Sequence, residues 1–380
     1  MIPSRINNSV KLWSTHLPEV SPFYAMKCNS EPQFVKYLYD SGLQFDCASE
    51  TELLQVKSIV GNYCRSSIIY ANPCKSEEHI QTANMIGSPL TVIDSIEEVY
   101  KLNASKYTGG ALIRVAVNDS QSLIPFSLKF GANISLVDTI AKIASICSID
   151  IFGFSFHIGS GGSSPTEYSN AIKTCRDLFP TLRYFGHRPN KLNIGGGFIA
   201  EKDDFMERAK IINSSISDLH KENIHVMAEP GRFFAKNSFD FYVKVIGKKY
   251  CSKRSCFLYT IDDSLYGQFS CILFDHAKPK WTRVSDGCVQ RRYSKGILFG
   301  RTCDSLDVIA SAESMEELEV NDWICFPNMG AYTNATASEF NGFPKPNVYI
   351  SESYIPDIYF REPLRVSYPT PVKQFLSETV

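Results

Sequence analysis

The stretch IFGFSFHIGSGG, residues 151–162, carries the pattern that decides the fold. A short apolar run of strand character ends in a glycine-rich tip, and an amphipathic segment follows. Strand candidates of this kind occur eight times in the first two thirds of the chain: residues 22–26, 44–47, 67–70, 90–93, 111–117, 151–157, 191–194 and 224–228. Eight strands that alternate with helices over roughly 235 residues predict a parallel, TIM-like (β/α)8 barrel of the α/β class. A doubly wound open sheet has the same periodicity and remains the alternative.

Amphipathic helix candidates lie between the barrel strands, for example at residues 32–41, 95–102, 136–146 and 203–221.

The rest of the chain indicates a second domain. The last third has strand-like runs without long helical spacers, at 239–246, 256–261, 269–274, 296–299, 323–326 and 347–350. Turn residues such as Asp286-Gly287 and Asn341-Gly342 separate them. We predict a barrel domain at residues 1–236 and a C-terminal all-β domain at residues 237–380, whose last segment can pack back on the barrel.

Charge and composition exclude several classes of protein. The formal net charge is −1, so there is no basic field to hold nucleic acid or an anionic membrane surface. No apolar run reaches the roughly 18 residues of a membrane span, and the N-terminus lacks the apolar core of a secretory signal. We expect a cytoplasmic protein. The twelve cysteines are scattered and form no C-x-x-C pair, so we expect no metal site.

The strand tips are where a barrel carries its active site, because the loops at the C-terminal ends of the strands meet at one face. Two of the tips are rich in glycine, which lets backbone N–H groups approach a phosphate without an intervening Cβ. A flexible turn would explain one such tip, whereas two tips and a nearby arginine favour a phosphate site. The tip residues are Lys27, Asp46, Arg114, 157–162, 195–197 and 229–232.

Three of the candidate residues have an ordinary structural explanation when each is taken alone. A lysine at a strand end, such as Lys27, is usually solvated, although a desolvated lysine gives up its proton more easily and can form a Schiff base. His157 would be a hydrogen-bonded core histidine, and Cys303 would be one of twelve ordinary cysteines. Single residues therefore do not decide the chemistry.

A set of motifs in fixed order makes the chain resemble the eukaryotic-type ornithine decarboxylases. They belong to the alanine-racemase-like pyridoxal-phosphate enzymes, which pair a barrel with a β-domain. The motifs are YAMKCN (24–29), FDCAS (45–49), SFHIGSG (155–161), IGGGF (194–198), AEPGR (228–232), FDH (274–276), TCDSLD (302–307) and NMGAYT (328–333). The resemblance extends over nearly the whole chain and implies a lyase with pyridoxal 5′-phosphate as cofactor.

The resemblance implies roles for the barrel residues. Lys27 corresponds to the lysine that binds the cofactor covalently, and His157 to the imidazole that stacks on its ring. Glu229 corresponds to the acid that keeps the pyridine nitrogen protonated, so that the ring accepts the electrons left by CO2. The residues implied to position the lysine and the cofactor are Asp46, Glu52 and Arg114. The other implied cofactor ligands, mostly to the phosphate, are Ser160, Gly195, Gly196, Gly197, Arg232 and Tyr332.

The resemblance also implies a homodimer whose two active sites are shared between subunits. Cys303 would donate a proton to the substrate's Cα, and Asp304 would bind the distal amine, each in the barrel of the other subunit. An inter-subunit ion pair of Lys129 with Asp307 is expected. Aromatic packing is expected among Tyr266, Phe274 and Phe340. The catalytic set is then Lys27, His157, Asp46, Glu52 and Cys303.

The implied substrate pocket favours ornithine. A distal ammonium needs a carboxylate at the far end of the pocket, because burying it unpaired is costly. Asp275 and Asp304 would supply two carboxylates, with Phe274 beside them. Arginine-preferring viral relatives carry Glu at the position of Asp275, and plant relatives with strong lysine activity carry Phe at the position of His276. One methylene gives only about 1–3 kcal/mol of discrimination, so we expect ornithine to be converted to putrescine, in polyamine biosynthesis, and lysine to react slowly.

Three positions depart from the family pattern. Ser305 stands where Gly is usual, Asn193 where Asp is usual, and Phe274 where Tyr is common. Relatives also carry a longer N-terminal segment with a first strand that joins the β-domain. Either a compact form dispenses with this strand or the chain is truncated, and loss of an edge strand would expose backbone groups of its neighbour.

Several alternatives to an ornithine decarboxylase stay open. Within the family, lysine or arginine decarboxylase is possible. A non-catalytic regulator would resemble the antizyme inhibitors, which lose cofactor-binding positions, whereas Asp46, Arg114, Gly195 and Glu229 are present here. A racemase would use a tyrosine from the second domain as its opposite-face base, and a small cofactor-carrier barrel would lack the β-domain.

Overall fold

A closed barrel of eight parallel strands forms the larger unit, which confirms the predicted barrel and excludes the open sheet. The computed structural model describes residues 1–61, 67–87, 90–118, 126–160, 164–284 and 291–351. The barrel strands are β1 (Val20–Ala25), β2 (Gln44–Cys47), β3 (Ile68–Tyr70), β4 (Leu90–Ile93), β5 (Gly110–Arg114), β6 (Ile151–Ser155), β7 (Lys191–Asn193) and β8 (His225–Ala228). Each strand pairs with the next along the chain, and β8 pairs with β1 to close the barrel.

Serine caps set where three of the described helices begin. Ser49, Ser76 and Ser95 each accept a hydrogen bond from the backbone N–H three residues later, which satisfies an otherwise unpaired donor of the first turn. Acidic residues occupy the same first turns, where the helix dipole favours them. The helices are α1 (Pro3–His16), α2 (Pro32–Asp40), α3 (Glu50–Val60), α4 (Glu77–Met85), α5 (Ile96–Ala104), α6 (Ile134–Ile146), α7 (Thr166–Tyr184), α8 (Lys202–Lys221) and the short α9 (Arg232–Ala235). In the described part of the chain, no helix is both long and apolar enough to cross a membrane.

The register of the parallel strands places three polar residues side by side inside the barrel. Arg114 at the end of β5 lies opposite Ser155 of β6, and Ser155 lies opposite Asn193 of β7. Leu112, two residues before Arg114, belongs to the apolar core of the barrel. Because side chains two residues apart on a strand share a face, these three side chains face inward as well. The apolar core beneath them is formed by Phe23, Ile69, Leu90, Val92, Leu112 and Met227.

The second compact unit is mostly β and combines Met1–Ile6 with the chain from Ala235 onward. The backbone N–H of Ile2 donates to Ser238 O at 2.9 Å, and the Arg5 guanidinium lies 2.7 Å from Asp240 Oδ1. The strands are β9 (Phe241–Cys251), β10 (Cys256–Ile261), β11 (Thr282–Arg283), β12 (Tyr293–Phe299), β13 (Val308–Glu316) and β14 (Trp323–Phe326). They form a six-stranded sheet in the order β11-β14-β9-β10-β12-β13.

Two strands predicted in this unit are wrong. Residues 269–274 form the short helix α10 (Ser270–Phe274), and residues 347–350 have no strand. Phe269 and Ile272, three residues apart, pack into the core of the unit, whereas Leu273 and Phe274 are exposed. This is helical spacing, which a short run of apolar residues cannot distinguish from a buried strand. Strand β13 was not predicted, and the turn at Asp286-Gly287 lies outside the described residues.

Candidate active site

The predicted barrel residues lie at the C-terminal ends of their strands, where parallel topology brings them to one face. Lys27 follows β1 in the single helical turn Met26–Cys28, and Asp46 is on β2. His157 follows β6, and Glu229 follows β8 directly. The Phe126 ring contacts both Lys27 and His157, and Lys27 acts on the pKa of Asp46, Glu229 and His157, so these residues form one cluster.

Lys27 presents an exposed amine between two buried neighbours. Met26 and Cys28 are fully buried on either side of it and hold the turn in place. The Nζ atom lies 5.7 Å from the centre of the Phe126 ring, within the range of a cation–π contact. The backbone is therefore anchored while the amine remains accessible to a ligand.

Two acids accompany Lys27: Asp46, which is buried, and Glu229, which is half-buried. Burial, and then the charge of Glu229, raises the pKa of Asp46 well above its usual value, against the opposing effects of Lys27 and Arg114. Burial likewise raises the pKa of Glu229, and Lys27 opposes it first. Acids whose pKa is raised in this way become more readily ionised when a further positive charge is bound beside them.

Glu52 stabilises the loop after β2. Its Oε2 accepts a hydrogen bond from Ala48 N–H at 2.6 Å, while Ser49 Oγ accepts one from Glu52 N–H at 3.3 Å. This pair resembles a capping box at the start of α3, except that Glu52 accepts from Ala48, the residue before the N-cap, and not from the N-cap Ser49 itself. Burial raises the pKa of Glu52, and the Ala48 hydrogen bond and Lys27 oppose that rise. Glu52 thus orients the loop between Asp46 and α3.

His157 is held as a neutral imidazole of defined tautomer. Gly159 N–H donates to His157 Nδ1 at 3.0 Å, so Nδ1 is an acceptor and the proton resides on Nε2. Burial, then Lys27 and Arg114, lowers the pKa of His157 well below its usual value. The imidazole meets the Phe126 ring edge-on at 4.7 Å between centroids. A neutral ring of fixed orientation suits stacking against a flat cofactor.

The glycines after β7 lie so close to neighbouring atoms that a Cβ at these positions would overlap with them. Gly195 has φ +66°, and a Cβ there would lie 2.2 Å from Phe156 O. At Gly196 a Cβ would lie 2.8 Å from His157 Nε2. Tyr168, on α7, donates its hydroxyl to Gly196 O at 2.8 Å and fixes the loop from behind. The glycines therefore let the loop approach His157 closely.

A hydroxyl and a guanidinium lie together near this loop. Arg232 Nη2 donates to Ser160 Oγ at 3.2 Å, although 72 positions separate the two residues along the chain. Gly197, with φ +99°, has Gly159 O and Tyr168 Oη near the position of a Cβ, at 3.0 and 3.1 Å. Backbone N–H groups, a hydroxyl and an arginine are the donor set that a phosphate needs, so these residues fit a phosphate group.

Two inward-facing polar residues were not assigned a role from the sequence. Asn193 is fully buried, and its amide donates to Glu229 Oε1 at 2.6 Å and accepts from Gly195 N–H at 2.9 Å. Ser155 is 4% exposed, and among the described residues its hydroxyl has no hydrogen-bond partner. A buried hydroxyl without a partner inside the barrel is consistent with a polar ligand there. Strand register was the signal that could have found both residues.

Asp304 and Cys303 occupy a loop of the second unit. Tyr266 donates its hydroxyl to Asp304 Oδ2 at 2.5 Å, and Leu306 N–H donates to Oδ1 at 2.9 Å. These two bonds lower the pKa of Asp304, with the larger effect from Leu306. Cys303 is exposed, and its backbone N–H donates to Asn341 Oδ1 at 3.2 Å. The loop therefore presents an exposed thiol next to an ionised carboxylate.

Asp307 anchors this loop from within the same unit. It is 1% exposed and accepts hydrogen bonds from Leu265 N–H at 2.8 Å, Thr302 N–H at 3.1 Å and Thr302 Oγ1 at 2.6 Å. A Cβ at Gly300 would lie 2.3 Å from the Asp307 carboxylate. Lys129 lies in the barrel unit, with Nζ 4.9 Å from the centre of the Phe130 ring. The ion pair of Lys129 with Asp307 stays a prediction.

The remaining predicted residues also belong to the second unit. Tyr266 and Phe340 stack at 4.1 Å between centroids, whereas Phe274 is 68% exposed. Asp275 is buried at the end of α10, and Tyr332 has φ +54°. In the described residues, no group of three or more His, Cys, Asp and Glu side chains could hold a metal ion.

Comparisons with known proteins converge on one family. A sequence model described as "Pyridoxal-dependent decarboxylase, pyridoxal binding domain" matches residues 3–236. Ornithine decarboxylase of Schizosaccharomyces pombe is 37% identical over 353 residues, which are 91% of this chain and 81% of that protein. Antizyme inhibitor 2 of Xenopus laevis is 37% identical over 348 residues, which are 88% of this chain and 76% of that protein.

Solved structures agree with the sequence relatives. Arginine decarboxylase of Paramecium bursaria Chlorella virus, bound to agmatine, has a TM-score of 0.86 and 32% identity, with 92% of this chain and 95% of that chain covered. The lysine/ornithine decarboxylase of Vibrio vulnificus, complexed with cadaverine, has a TM-score of 0.83 and 30% identity, with 93% of this chain and 94% of that chain covered.

Proposed function

This chain belongs to the family of pyridoxal-dependent decarboxylases, and we propose that it converts L-ornithine to putrescine and CO2 as a step of polyamine biosynthesis. The observation that carries the proposal is the cluster of Lys27 with Asp46 and Glu229, complete at the end of the barrel. Lysine is proposed as a slower second substrate, because one methylene discriminates only weakly.

The family's cofactor is pyridoxal phosphate, and the residues present fit it. Lys27 would hold it covalently, Glu229 would contact the ring nitrogen, and His157 would cover a ring face. The proposed phosphate ligands are Ser160, Gly195, Gly196, Gly197 and Arg232, and Tyr332 is added on resemblance alone. When bound, the cofactor supplies an electron sink for the pair of electrons left at Cα when CO2 departs.

Residues of this chain set the charges of the groups around the proposed cofactor site. His157 stays neutral, because burial and two nearby cations disfavour its protonation, so it adds no positive charge beside a cationic ring. Lys27 and Arg114 lower the pKa of both Asp46 and Glu229. Asp46 and Arg114 would orient Lys27 and the cofactor. Glu52 holds the loop that follows Asp46.

We propose that the second unit supplies the proton and the substrate carboxylate. Cys303, as an exposed thiol, would donate a proton to Cα. Asp304 would bind the distal ammonium, and its lowered pKa keeps it ionised for that purpose. Asp275, buried beside the exposed Phe274, would add a second carboxylate.

A homodimer with shared sites is part of the proposal. Cys303 and Asp304 of one subunit would complete the barrel site of the other. Lys129 of one subunit would pair with Asp307 of the other. Sedimentation of the purified chain at equilibrium would show a dimer, and a strict monomer with full activity would contradict shared sites.

A second candidate function is a non-catalytic regulator, favoured by the similarity to the Xenopus antizyme inhibitor. The test is CO2 release from ornithine, lysine and arginine, measured side by side with cofactor-loaded protein. Ornithine preferred over lysine, with arginine slowest, supports the proposal. A strong preference for arginine contradicts the substrate, and no release from any of the three supports the regulator.

A further inference from the structure

Ser155 carries a buried hydroxyl on the inner face of the barrel. The ring of the preceding residue, Phe154, packs against Phe179 of α7 with 5.4 Å between centroids, so it faces the outer helices. Successive side chains of a strand point to opposite faces, and Ser155 therefore points into the barrel. The residue is 4% exposed, and among the described residues its Oγ has no hydrogen-bond partner. A hydroxyl withdrawn from water in this way destabilises the free protein, which indicates a partner supplied from outside the chain.

The neighbours of Ser155 in the barrel wall are both polar. Strand register places Arg114 on one side and Asn193 on the other, and adjacent strands lie about 4.8 Å apart. The amide of Asn193 is directed at Glu229 and at the backbone N–H of Gly195, and not at Ser155. The Ser155 hydroxyl is therefore available to a ligand at the end of the barrel.

The charges near Ser155 favour an anionic ligand atom beside it. Burial has the largest effect on the pKa of Asp46, of Glu229 and of His157, and Arg114 lowers the pKa of all three. Arg114 thus brings positive charge to the space that these side chains share. A serine hydroxyl can donate or accept, but beside a guanidinium the favoured ligand atom is a negatively charged acceptor. The hydroxyl is then the donor.

The proposed ligands of pyridoxal phosphate leave one of its polar groups without a partner. Ser160, Arg232 and the glycine loop fit the phosphate, Glu229 would contact the ring nitrogen, and Lys27 would bond to the aldehyde carbon. The group that remains is the phenolic oxygen at C3 of the ring. This hydroxyl loses its proton readily, so its oxygen is an anionic acceptor of the required kind.

We propose that Ser155 is a cofactor-binding residue whose hydroxyl donates a hydrogen bond to the phenolic oxygen of pyridoxal phosphate. The inference rests on the proposed function, because it concerns the same cofactor site. Ser155 gains its partner only when the cofactor binds, which distinguishes it from a serine that stabilises the fold. Loss of the hydroxyl therefore weakens cofactor binding and does not weaken the cofactor-free protein.

The test is Ser155→Ala, compared with the wild type with and without cofactor. The urea midpoint of the cofactor-free variant should equal or exceed that of the wild type, because the change removes a buried hydroxyl that has no partner there. The dissociation constant for pyridoxal phosphate, measured by equilibrium dialysis, should rise by about tenfold or more, as expected for loss of one hydrogen bond to a charged group. A lower urea midpoint in the cofactor-free variant would assign the hydroxyl to the fold and overturn the inference.

A cofactor analogue without the phenolic oxygen identifies the atom that Ser155 contacts. The analogue is 3-deoxypyridoxal 5′-phosphate, which keeps the phosphate, the ring nitrogen and the aldehyde. Wild type and Ser155→Ala should bind it with about equal affinity, because the acceptor is absent from both complexes. A difference of about tenfold that persists with the analogue would show that the hydroxyl contacts another group, which contradicts the inference.

Ser217→Ala is the matched control. Ser217 is exposed on α8, and its hydroxyl donates to Ser214 O at 3.1 Å. Its replacement should leave the affinity for pyridoxal phosphate unchanged. Equal affinity of wild type and Ser155→Ala for pyridoxal phosphate would refute the role of Ser155 and leave the proposed function intact. Failure of the wild type to bind pyridoxal phosphate would contradict the proposed function instead, so the two failures are distinguishable.

Discussion

The phenol of Tyr266 donates a hydrogen bond to Oδ2 of Asp304 at 2.5 Å. The same ring stacks on Phe340 at 4.1 Å between centroids, so packing and hydrogen bonding together orient the carboxylate. Leu306 N–H holds the other oxygen. Asp304, proposed to bind the substrate's distal ammonium, is therefore positioned before substrate arrives, which reduces the entropy lost on binding.

Tyr266→Phe removes this hydrogen bond and keeps the ring stack. We expect KM for ornithine to rise by about tenfold, in line with the loss of one hydrogen bond to a charged group, with a smaller change in kcat. Steady-state kinetics measure both constants. Tyr184→Phe, on an exposed side chain of α7, is the control and should change neither. Unchanged KM in Tyr266→Phe would show that Asp304 does not depend on this contact.

Lys27→Ala removes the amine proposed to hold the cofactor covalently. Decarboxylation and the visible absorption band should be lost together, because the exposed amine is the proposed attachment point while its buried neighbours keep the turn. Absorbance and CO2 release after incubation with pyridoxal phosphate measure both. Lys142→Ala, on α6, should retain both. Decarboxylation that persists in Lys27→Ala would overturn the assignment of this lysine.

Gly195→Ala tests the backbone path of the loop after β7. The added Cβ would lie 2.2 Å from Phe156 O at φ +66°, so both strain and overlap oppose it. We expect the free energy of unfolding to fall by about 2–4 kcal/mol and cofactor affinity to weaken. Gly186→Ala is the control, since its φ is +87° but nothing lies within 4 Å of the new Cβ. There we expect only the conformational cost, about 1 kcal/mol.

Urea unfolding of both glycine variants, with and without cofactor, measures these differences. Equal losses of stability in Gly195→Ala and Gly186→Ala would show that overlap with Phe156 contributes nothing.

Because of Asp263, we expect the stability of the protein to depend on pH, and this prediction does not rest on the active-site proposals. Burial raises the pKa of Asp263 to about 6, against the hydrogen bonds from Ser264 and Gln268. The folded protein thus binds more protons than the unfolded chain between the usual aspartate pKa and about 6. By linkage, this group's contribution makes stability fall as pH rises through that window.

Asp263→Asn should remove this decrease in stability with rising pH. Both backbone donors bond to Oδ1, which an asparagine retains. We expect the variant to lose less stability than the wild type between about pH 4 and about pH 6, as measured by urea unfolding of the cofactor-free protein. Asp138→Asn, at an exposed site on α6, controls for loss of one negative charge. Parallel pH profiles for wild type and Asp263→Asn would contradict the raised pKa.

Much of the barrel could be predicted from the sequence, because each strand is a short apolar run that ends at a turn or glycine-rich tip. The predicted strands at 44–47 and 90–93 coincide with β2 and β4. The prediction was weaker in the second unit, where residues 269–274 are a helix. An apolar run of that length has no periodicity that separates helix from strand, and packing in the core decided the outcome.

The sequence alone determined the fold class, the family and the identity of the candidate residues, since these depend on local periodicity and on motifs in fixed order. Only the tertiary structure decided how those residues act on one another. In the sequence, Asn193 is only a position that departs from the family pattern. The parallel strand register places its side chain beside Glu229, 36 positions along the chain. Contacts of that kind depend on strand pairing and inward-facing alternation, which no single segment of sequence encodes.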